Sequence, residues 1–531
     1  MTRMTFVAIF PTFKNFLFKI LPSIHKPVPI CMIVTSKRNC PISSLPLKKR
    51  NSMLNNREET TLPLYEYDLI SVGGGPAGLI SSIGASYLGS RPALIEHKRL
   101  GGDCLWTGCV PSKSLLASSH LSHAMKHAEK LGLQTIVPTE NSRTALGRMR
   151  NIRSKIALHD DPKRFQEMGI DPHFGLARFK NPDTLEVEGV GTFKSKRIIL
   201  ATGARPKIPP IEGLNKCGYL TYENIFELEV YPNCIGIIGA GPVGIEMAQI
   251  FNRLGSKVVI FETKDRILNE EDPDVSICMQ NILLSEGIQI HLGSQIEKVK
   301  TDGHKKIIIT PKNKRFIVDT IMLATGREPS IHTLNLEAAN IETENGIVRT
   351  AATLVTSNKS VWAVGDVNGG PQFTHVAEYS ASTAVRNAFL PFAKSIEYSC
   401  VPHIIFTDPE ISHVGLTSSQ AESKGAKTFR VDFEELDRAI TDGKTEGFLK
   451  ISVDRRGKIL GSSIIGYRGG ELLQPIVLAM KHGLTLPQVA DTVFAYPTMG
   501  EGLKRTAMAY QKSRLESPLG SILKKCITWL N

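Results

Sequence analysis

Cys104 and Cys109 are separated by four residues in the run Gly101-Gly102-Asp103-Cys104-Leu105-Trp106-Thr107-Gly108-Cys109-Val110-Pro111-Ser112-Lys113. Cys109 falls at an expected helix start, with Pro111 in the first turn. Free N–H groups and the positive end of the helix dipole stabilise a thiolate there, and Lys113 adds positive charge. A stabilised thiolate suits electron transfer and disulfide exchange better than structural stapling. A zinc site needs about four ligands, and no second Cys/His pair with finger-like spacing is present, so no metal site is expected. Cys31, Cys40, Cys217, Cys234, Cys278, Cys400 and Cys526 are isolated in sequence.

The elements that would hold this dithiol are two copies of one unit. Tyr67 to Val72 reads as a buried strand running into Gly73-Gly74-Gly75-Pro76-Ala77-Gly78, then a helix, then the strand Pro92 to Ile95 ending at Glu96. Gly73 makes the tight turn, Gly75 admits a pyrophosphate to the backbone, and Gly78 allows close helix packing; the helix N-terminus offers N–H groups to the anion. The arrangement returns as Cys234 to Ile238, Gly239-Ala240-Gly241-Pro242-Val243-Gly244, a helix, and Lys257 to Phe261 ending at Glu262. Last glycine to acid is 18 residues in both copies. One such motif is weak evidence, but two complete units with matched spacing indicate two dinucleotide sites. Glu96 and Glu262 stand where each accepts hydrogen bonds from an adenosine ribose. A carboxylate at Glu262 favours NADH over NADPH by repelling a 2′-phosphate; Lys264 and Arg266 read as loop cations beyond the strand end.

A chain of 531 residues corresponds to about three or four domains. The net charge of +13 is uneven: residues 1–60 hold ten Lys and Arg against two acids, and the remaining 471 residues hold 54 against 49. The body is near balance, which argues against a nucleic-acid partner. No run approaches 18 apolar residues, so no membrane span is expected. The basic extension reads as a targeting peptide, a signal-like segment, a disordered tail or translation upstream of a start such as Met53. Low cysteine content and a thiol-based site suit a reducing compartment, so the cytoplasm is expected, with a mitochondrial or other organellar matrix as the alternative.

The sequence resembles the class I pyridine nucleotide–disulfide oxidoreductases over about residues 65–515. Gly101 to Leu116 resembles the family's redox-disulfide signature, with Trp106 where Asn is common. Ala201 to Pro206 (ATGARP, with Gly203) and Ala324 to Pro329 (ATGREP, with Gly326) look like its two chain crossovers, and Val361 to Val367 resembles its second flavin signature. The resemblance implies an α/β fold with two Rossmann-like domains and an α+β dimerisation domain. It implies FAD at the first site and NAD(P)H at the second, NADP being the lesser expectation, with Asp366 holding the ribityl chain. Cys109 would face the flavin, Cys104 would meet the substrate, and Lys113 would pair with Glu246. The implied domains are the basic extension 1–60, an FAD domain 61–210 and 326–395, an NAD(P) domain 211–325, a dimerisation domain 396–515 and a tail 516–531. Phe179 to Leu200 reads as strands returning to the first sheet, and the 400s as an antiparallel sheet.

The C-terminal segment departs from the dihydrolipoamide dehydrogenase pattern. That branch has His-x-His-Pro-Thr followed by Glu; here the run is Phe494-Ala495-Tyr496-Pro497-Thr498-Met499-Gly500-Glu501. A phenol titrating near 10 is a poor base at neutral pH, whereas imidazole near 6.5 is well matched. Tyr496 looks more like the mercuric reductase branch, although the C-terminal cysteine pair of that branch is absent. By resemblance the enzyme is a homodimer in which Tyr496 and Glu501 reach the partner's Cys104. The expected function is NAD(P)H-driven reduction of a small disulfide, thiol or metal-ion acceptor. The alternatives are a dihydrolipoyl dehydrogenase and, in another class, a non-catalytic FAD-binding subunit.

Overall fold

A computed structural model describes residues 65–138 and 142–530; the basic extension, 1–60, with Cys31, Cys40 and Met53, lies outside the described residues. The first sheet has five parallel strands in the order Val361–Ala363, Ile198–Leu200, Leu69–Val72, Pro92–Glu96, Asp171–Phe174. Leu69–Val72 and Pro92–Glu96 are buried along their whole length. This is what a parallel strand covered on both faces requires, and it explains their continuous apolar character. Helices Pro76–Tyr87 and Thr374–Phe389 pack against each other beside this sheet, with Gly84 facing Val385 and Ala85, Ala381 and Ala384 buried in one cluster.

The second unit repeats the plan with four parallel strands, ordered Gln289–His291, Lys257–Phe261, Cys234–Ile238, Thr320–Leu323. Each parallel sheet is accompanied by a three-stranded antiparallel meander. Here one expectation is corrected. Of the stretch 179–200, only Ile198–Leu200 joins the first parallel sheet, while Ala177–Asn181, Thr184–Val187 and Gly191–Lys194 pair with one another. The difference was legible in the side-chain period. Ile198, Ile199 and Leu200 are all buried, whereas in Ala177–Asn181 buried and exposed residues alternate, as in a sheet with one wet face. The inner face, Phe179, Leu185 and Val187, packs on Leu334, Leu336 and Ile341.

The two crossovers meet. Ala204–Pro206 pairs antiparallel with Arg327–Pro329, so the two connections between the dinucleotide units form one ribbon. The C-terminal part is a five-stranded antiparallel sheet ordered Pro402–Ile405, Glu410–Gly415, Ile459–Gly466, Phe448–Val453, Lys427–Asp432. Helices Gly469–Lys481 and Glu501–Leu515 share its core. The largest apolar cluster joins Leu115 and Leu116 from the helix behind Cys109, Ile245 to Phe251 from the second unit, and Ile405, Ile411, Phe448 and Ile465 from the C-terminal sheet. That helix is therefore wedged among all three parts, which fixes the dithiol at its end.

Candidate active site

One cavity of about 1590 Å³ is lined by both glycine turns, both cysteines of the pair, Lys113, Glu246 and Asp366. At each turn the first glycine has a left-handed backbone, φ +112° at Gly73 and +105° at Gly239. A Cβ on Gly78 would stand 1.8 Å from the Gly73 carbonyl oxygen, and one on Gly244 2.1 Å from that of Gly239. Gly241 by contrast has nothing within 4 Å of its Cβ position. The tight contacts hold each helix on its turn, and the open position leaves room for a pyrophosphate at the helix N-terminus. These residues fit two dinucleotides.

The two acids make backbone contacts that the sequence reading did not assign. Glu96 Oε2 accepts from the Gly74 N–H at 2.6 Å, and Glu262 Oε2 accepts from the Ala240 N–H at 2.7 Å. Each carboxylate thus ties its own glycine turn to the end of the second strand. Burial alone would raise the Glu96 carboxyl, but hydrogen bonds from His97, Gly74 and Lys98 hold it below its ordinary range. Beyond Glu262, Arg266 is turned back, donating to the carbonyls of Asn269 and Glu271 at 2.7 and 3.2 Å.

Cys104 lies in the short helix Gly102–Trp106, and Cys109 opens the helix Cys109–Lys126. Both are free thiols. A hydrogen bond from Cys104 is the main influence that pushes Cys109 down to about 6, against burial and with help from the Thr374 hydroxyl and the Lys113 charge. The same hydrogen bond, with burial and the neighbouring charge, holds the Cys104 thiol well above its ordinary value. Within the reduced pair the proton is therefore drawn to Cys104 and the negative charge to Cys109. Lys113 Nζ lies 2.7 Å from Glu246 Oε2, and the other Glu246 oxygen accepts from the Phe406 N–H at 2.8 Å. The Phe406 ring sits 4.4 Å from the Lys113 ammonium. Lys113 is thereby held by the second unit and the C-terminal sheet at once.

Two contributors escaped the sequence reading. Thr374 Oγ1 is 3.6 Å from Cys109 Sγ, and nothing local in sequence marks a residue 265 positions away. Arg327 reaches Asp366 and Asp103, both at 2.5 Å, and Tyr222 Oη at 3.3 Å. Its place directly after Gly326 in the second crossover was the available signal. Asp366 is raised by burial, with Arg327 opposing. Trp106, the departure from the family signature, donates from Nε1 to the Leu100 carbonyl at 2.7 Å and has the Arg99 guanidinium 3.9 Å from its ring centroid.

Gly203 and Gly326 both line the cavity, as do Glu96 and Glu262. Tyr496 and Glu501 are not among its lining residues. Tyr496 is 70% exposed and donates to Asp437 Oδ2 at 2.9 Å. Glu501 begins its helix with Oε2 buried and unpartnered. Among the described residues no group of three or more His, Cys, Asp and Glu could hold a metal ion, and no helix is long and apolar enough to cross a membrane.

Residues 67–381 match the family model for pyridine nucleotide-disulphide oxidoreductases, and residues 401–507 match the dimerisation domain of that family. The chain is 35% identical to a mercuric reductase of Lysinibacillus sphaericus over 84% of this chain and 83% of that protein. It is 30% identical to a dihydrolipoyl dehydrogenase of Bacillus subtilis over 84% of this chain and 98% of that protein. Among solved structures it is similar to the HOCl-induced flavoprotein disulfide reductase RclA from Escherichia coli, with a TM-score of 0.75, 28% identity, and coverage of 83% and 99% of the two chains. RclA has also been solved as a Cu(II) complex.

Proposed function

The chain belongs to the pyridine nucleotide-disulphide oxidoreductase family, and on that footing we propose that it is a homodimeric, NADH-preferring reductase of a small disulfide, thiol-linked or metal-ion acceptor. It is a FAD-containing enzyme that uses a pyridine nucleotide and acts on sulfur groups. When bound, FAD supplies the two-electron transfer that links the nicotinamide to the dithiol. The residues cradling it would be the Gly73–Gly78 turn, Glu96 and Asp366. Those at the nicotinamide dinucleotide would be the Gly239–Gly244 turn and Glu262.

The observation that carries the reading is the asymmetry of the pair. Cys109, exposed on the shared cavity with the Thr374 hydroxyl at 3.6 Å, is the sulfur drawn toward thiolate, and Cys104 beside it is the one drawn toward thiol. A thiolate at Cys109 suits electron exchange within the site, which leaves Cys104 as the sulfur that engages an acceptor once it has lost its proton. Lys113, fixed by Glu246, keeps positive charge beside that thiolate. Anaerobic reduction with one equivalent of NADH should give a long-wavelength thiolate-to-flavin band, and Cys109→Ser should remove it. A band that persists in the variant sinks the cysteine assignment.

The acceptor is narrowed by Tyr496. A phenol hydrogen-bonded to Asp437 is a poor base for a dithiol substrate, which disfavours the dihydrolipoyl dehydrogenase reading despite relatives of that name. Relatives named mercuric reductase and the Cu(II) complex of RclA favour including metal ions among the acceptors. Comparative turnover with dihydrolipoamide and NAD, small disulfides, Hg(II) and Cu(II) decides among them. Homodimerisation is supported by exposed Ile440, Leu478 and Val493 within the part that matches the dimerisation domain. Sedimentation of a fully active monomer would contradict it. A thiol-based site suits the cytoplasm, and the N-terminal residue of the mature protein tests that assignment.

A further inference from the structure

Pro518–Leu530 forms a 13-residue helix beyond the part that matches the dimerisation domain, which ends at residue 507. It holds three Leu, two Ile and one Trp against two Lys and no acid. Its start is secured. Pro518 opens the first turn, the Ser517 hydroxyl accepts from the Gly520 N–H at 3.2 Å, and Gly520 is buried. A Cβ on Gly520 would stand 2.4 Å from the Leu515 carbonyl oxygen, so the helix is seated closely on the end of the helix before it.

From Ser521 to Trp529 every described side chain is exposed. At the helical period Ile522, Cys526 and Trp529 fall on one face, at i, i+4 and i+7. Ser521, Lys524, Lys525 and Thr528 fall on another, at i, i+3, i+4 and i+7. Trp529 is 86% exposed and Ile522 60%. The fold therefore leaves an apolar stripe on this helix uncovered, backed by lysines.

Length, charge and composition select the occupant. The helix is too short to cross a bilayer, which takes about 20 residues, and no described helix is long and apolar enough to do so. Its charge is one-sided: between residues 512 and 530, Lys512, Arg514, Lys524 and Lys525 stand against Glu516 alone. That charge complements an anionic surface. The most exposed apolar group of the helix is an indole, whose ring and N–H suit the boundary between acyl chains and headgroups. A second copy fits less well. Two such helices side by side bring like charges together, and a pair about 20 Å long buries less than the roughly 1,200 Å² of a stable interface.

We propose that Pro518–Leu530 is a docking helix that lies flat on an anionic lipid bilayer, with the Ile522–Cys526–Trp529 stripe at the acyl boundary and Lys524 and Lys525 at the headgroups. Binding removes the stripe from water and sets the lysines against lipid phosphates. It holds the reductase at a membrane surface without a span. This goes beyond the redox reading and does not depend on the dithiol assignment.

The test is cosedimentation of the full-length holoenzyme with vesicles of phosphatidylcholine alone or mixed with an equal part of phosphatidylserine. Wild type should bind the mixed vesicles at least about tenfold more tightly than the neutral ones, and less tightly as salt is raised. Ile522→Ser combined with Trp529→Ser should lose at least about tenfold of that binding, with Tm and flavin absorbance unchanged. Lys524→Gln combined with Lys525→Gln, both at exposed positions, should lose a similar factor. Vesicles should shift Trp529 emission to the blue, read as the difference between wild type and Trp529→Phe. Undiminished binding in both paired variants overturns the proposal by assigning the affinity to another segment, the basic residues 1–60 included. Failure of wild type to bind overturns it as well. So does a lower sedimentation coefficient of the Ile522→Ser, Trp529→Ser variant without vesicles, which would make a second copy the occupant.

Discussion

The Tyr496 hydroxyl donates to Asp437 Oδ2 at 2.9 Å, and Glu501, the acid five residues on, makes no bond to it and keeps one oxygen buried without a partner. Arg505 stands 3.9 Å from the other Asp437 oxygen. The carboxylate that orients the phenol therefore comes from the helix Asp437–Thr441, in a separate stretch of chain. Because Asp437 accepts the hydrogen bond of the neutral phenol and adds negative charge, it raises the phenol above its ordinary value. Asp437→Asn should accordingly lower the Tyr496 titration toward that of a free phenol. Difference absorbance of phenolate against a Tyr496→Phe control measures it, and an unshifted titration means that the pair does not persist in solution.

The thiolate at Cys109 sets a pH dependence. With Cys109 lowered to about 6, the thiolate-to-flavin band of the two-electron-reduced enzyme should be near full strength at pH 7.5 and fade as pH falls through about 6. Lys113 is one of the groups lowering that value, so Lys113→Met should move the midpoint upward. A midpoint that stays put on removing Lys113 would show that the hydrogen bond from Cys104 carries the shift without it.

A preference for NADH is predicted from the Glu262 carboxylate and from Arg266 being occupied with loop carbonyls. A 2′-phosphate near the Glu262 carboxylate should cost on the order of 2 kcal/mol, about 30-fold in favour of NADH. Glu262→Ala should narrow the gap in kcat/KM. It should also loosen the second glycine turn, because the Ala240 N–H loses its acceptor, so KM for NADH should rise as well. Equal use of NADPH by the unmodified enzyme refutes the assignment.

Stability depends on a buried charge cluster away from the cavity. Arg253, 3% exposed, reaches Glu286 at 2.6 Å and Asp408 at 2.9 Å, linking the helix Pro242–Arg253 to the loop before Glu410. Arg253→Met leaves the Glu286 carboxylate without its cation and Asp408 with only the more distant Lys444, at 3.9 Å, and should cost roughly 3–5 kcal/mol. A drop in Tm of only a degree or so would mean that the cluster relaxes by admitting water.

The residues of this chain settle by themselves whatever depends on local order. The glycine turns, the 18-residue spacing to Glu96 and Glu262, and the apolar runs of the parallel strands are properties of short contiguous segments. Backbone sterics and side-chain period act over just such distances. The meander within 177–194 was readable by the same period but was merged with the strand that follows it. Tertiary structure alone decided the partnerships between distant segments. Thr374 comes to Cys109, Arg327 bridges Asp366 and Asp103, and Asp437 accepts the Tyr496 hydrogen bond. A hydrogen bond or ion pair depends on where packing brings two groups in space. Separations of 265, 224 and 59 residues leave no periodic trace from which sequence could foretell these meetings.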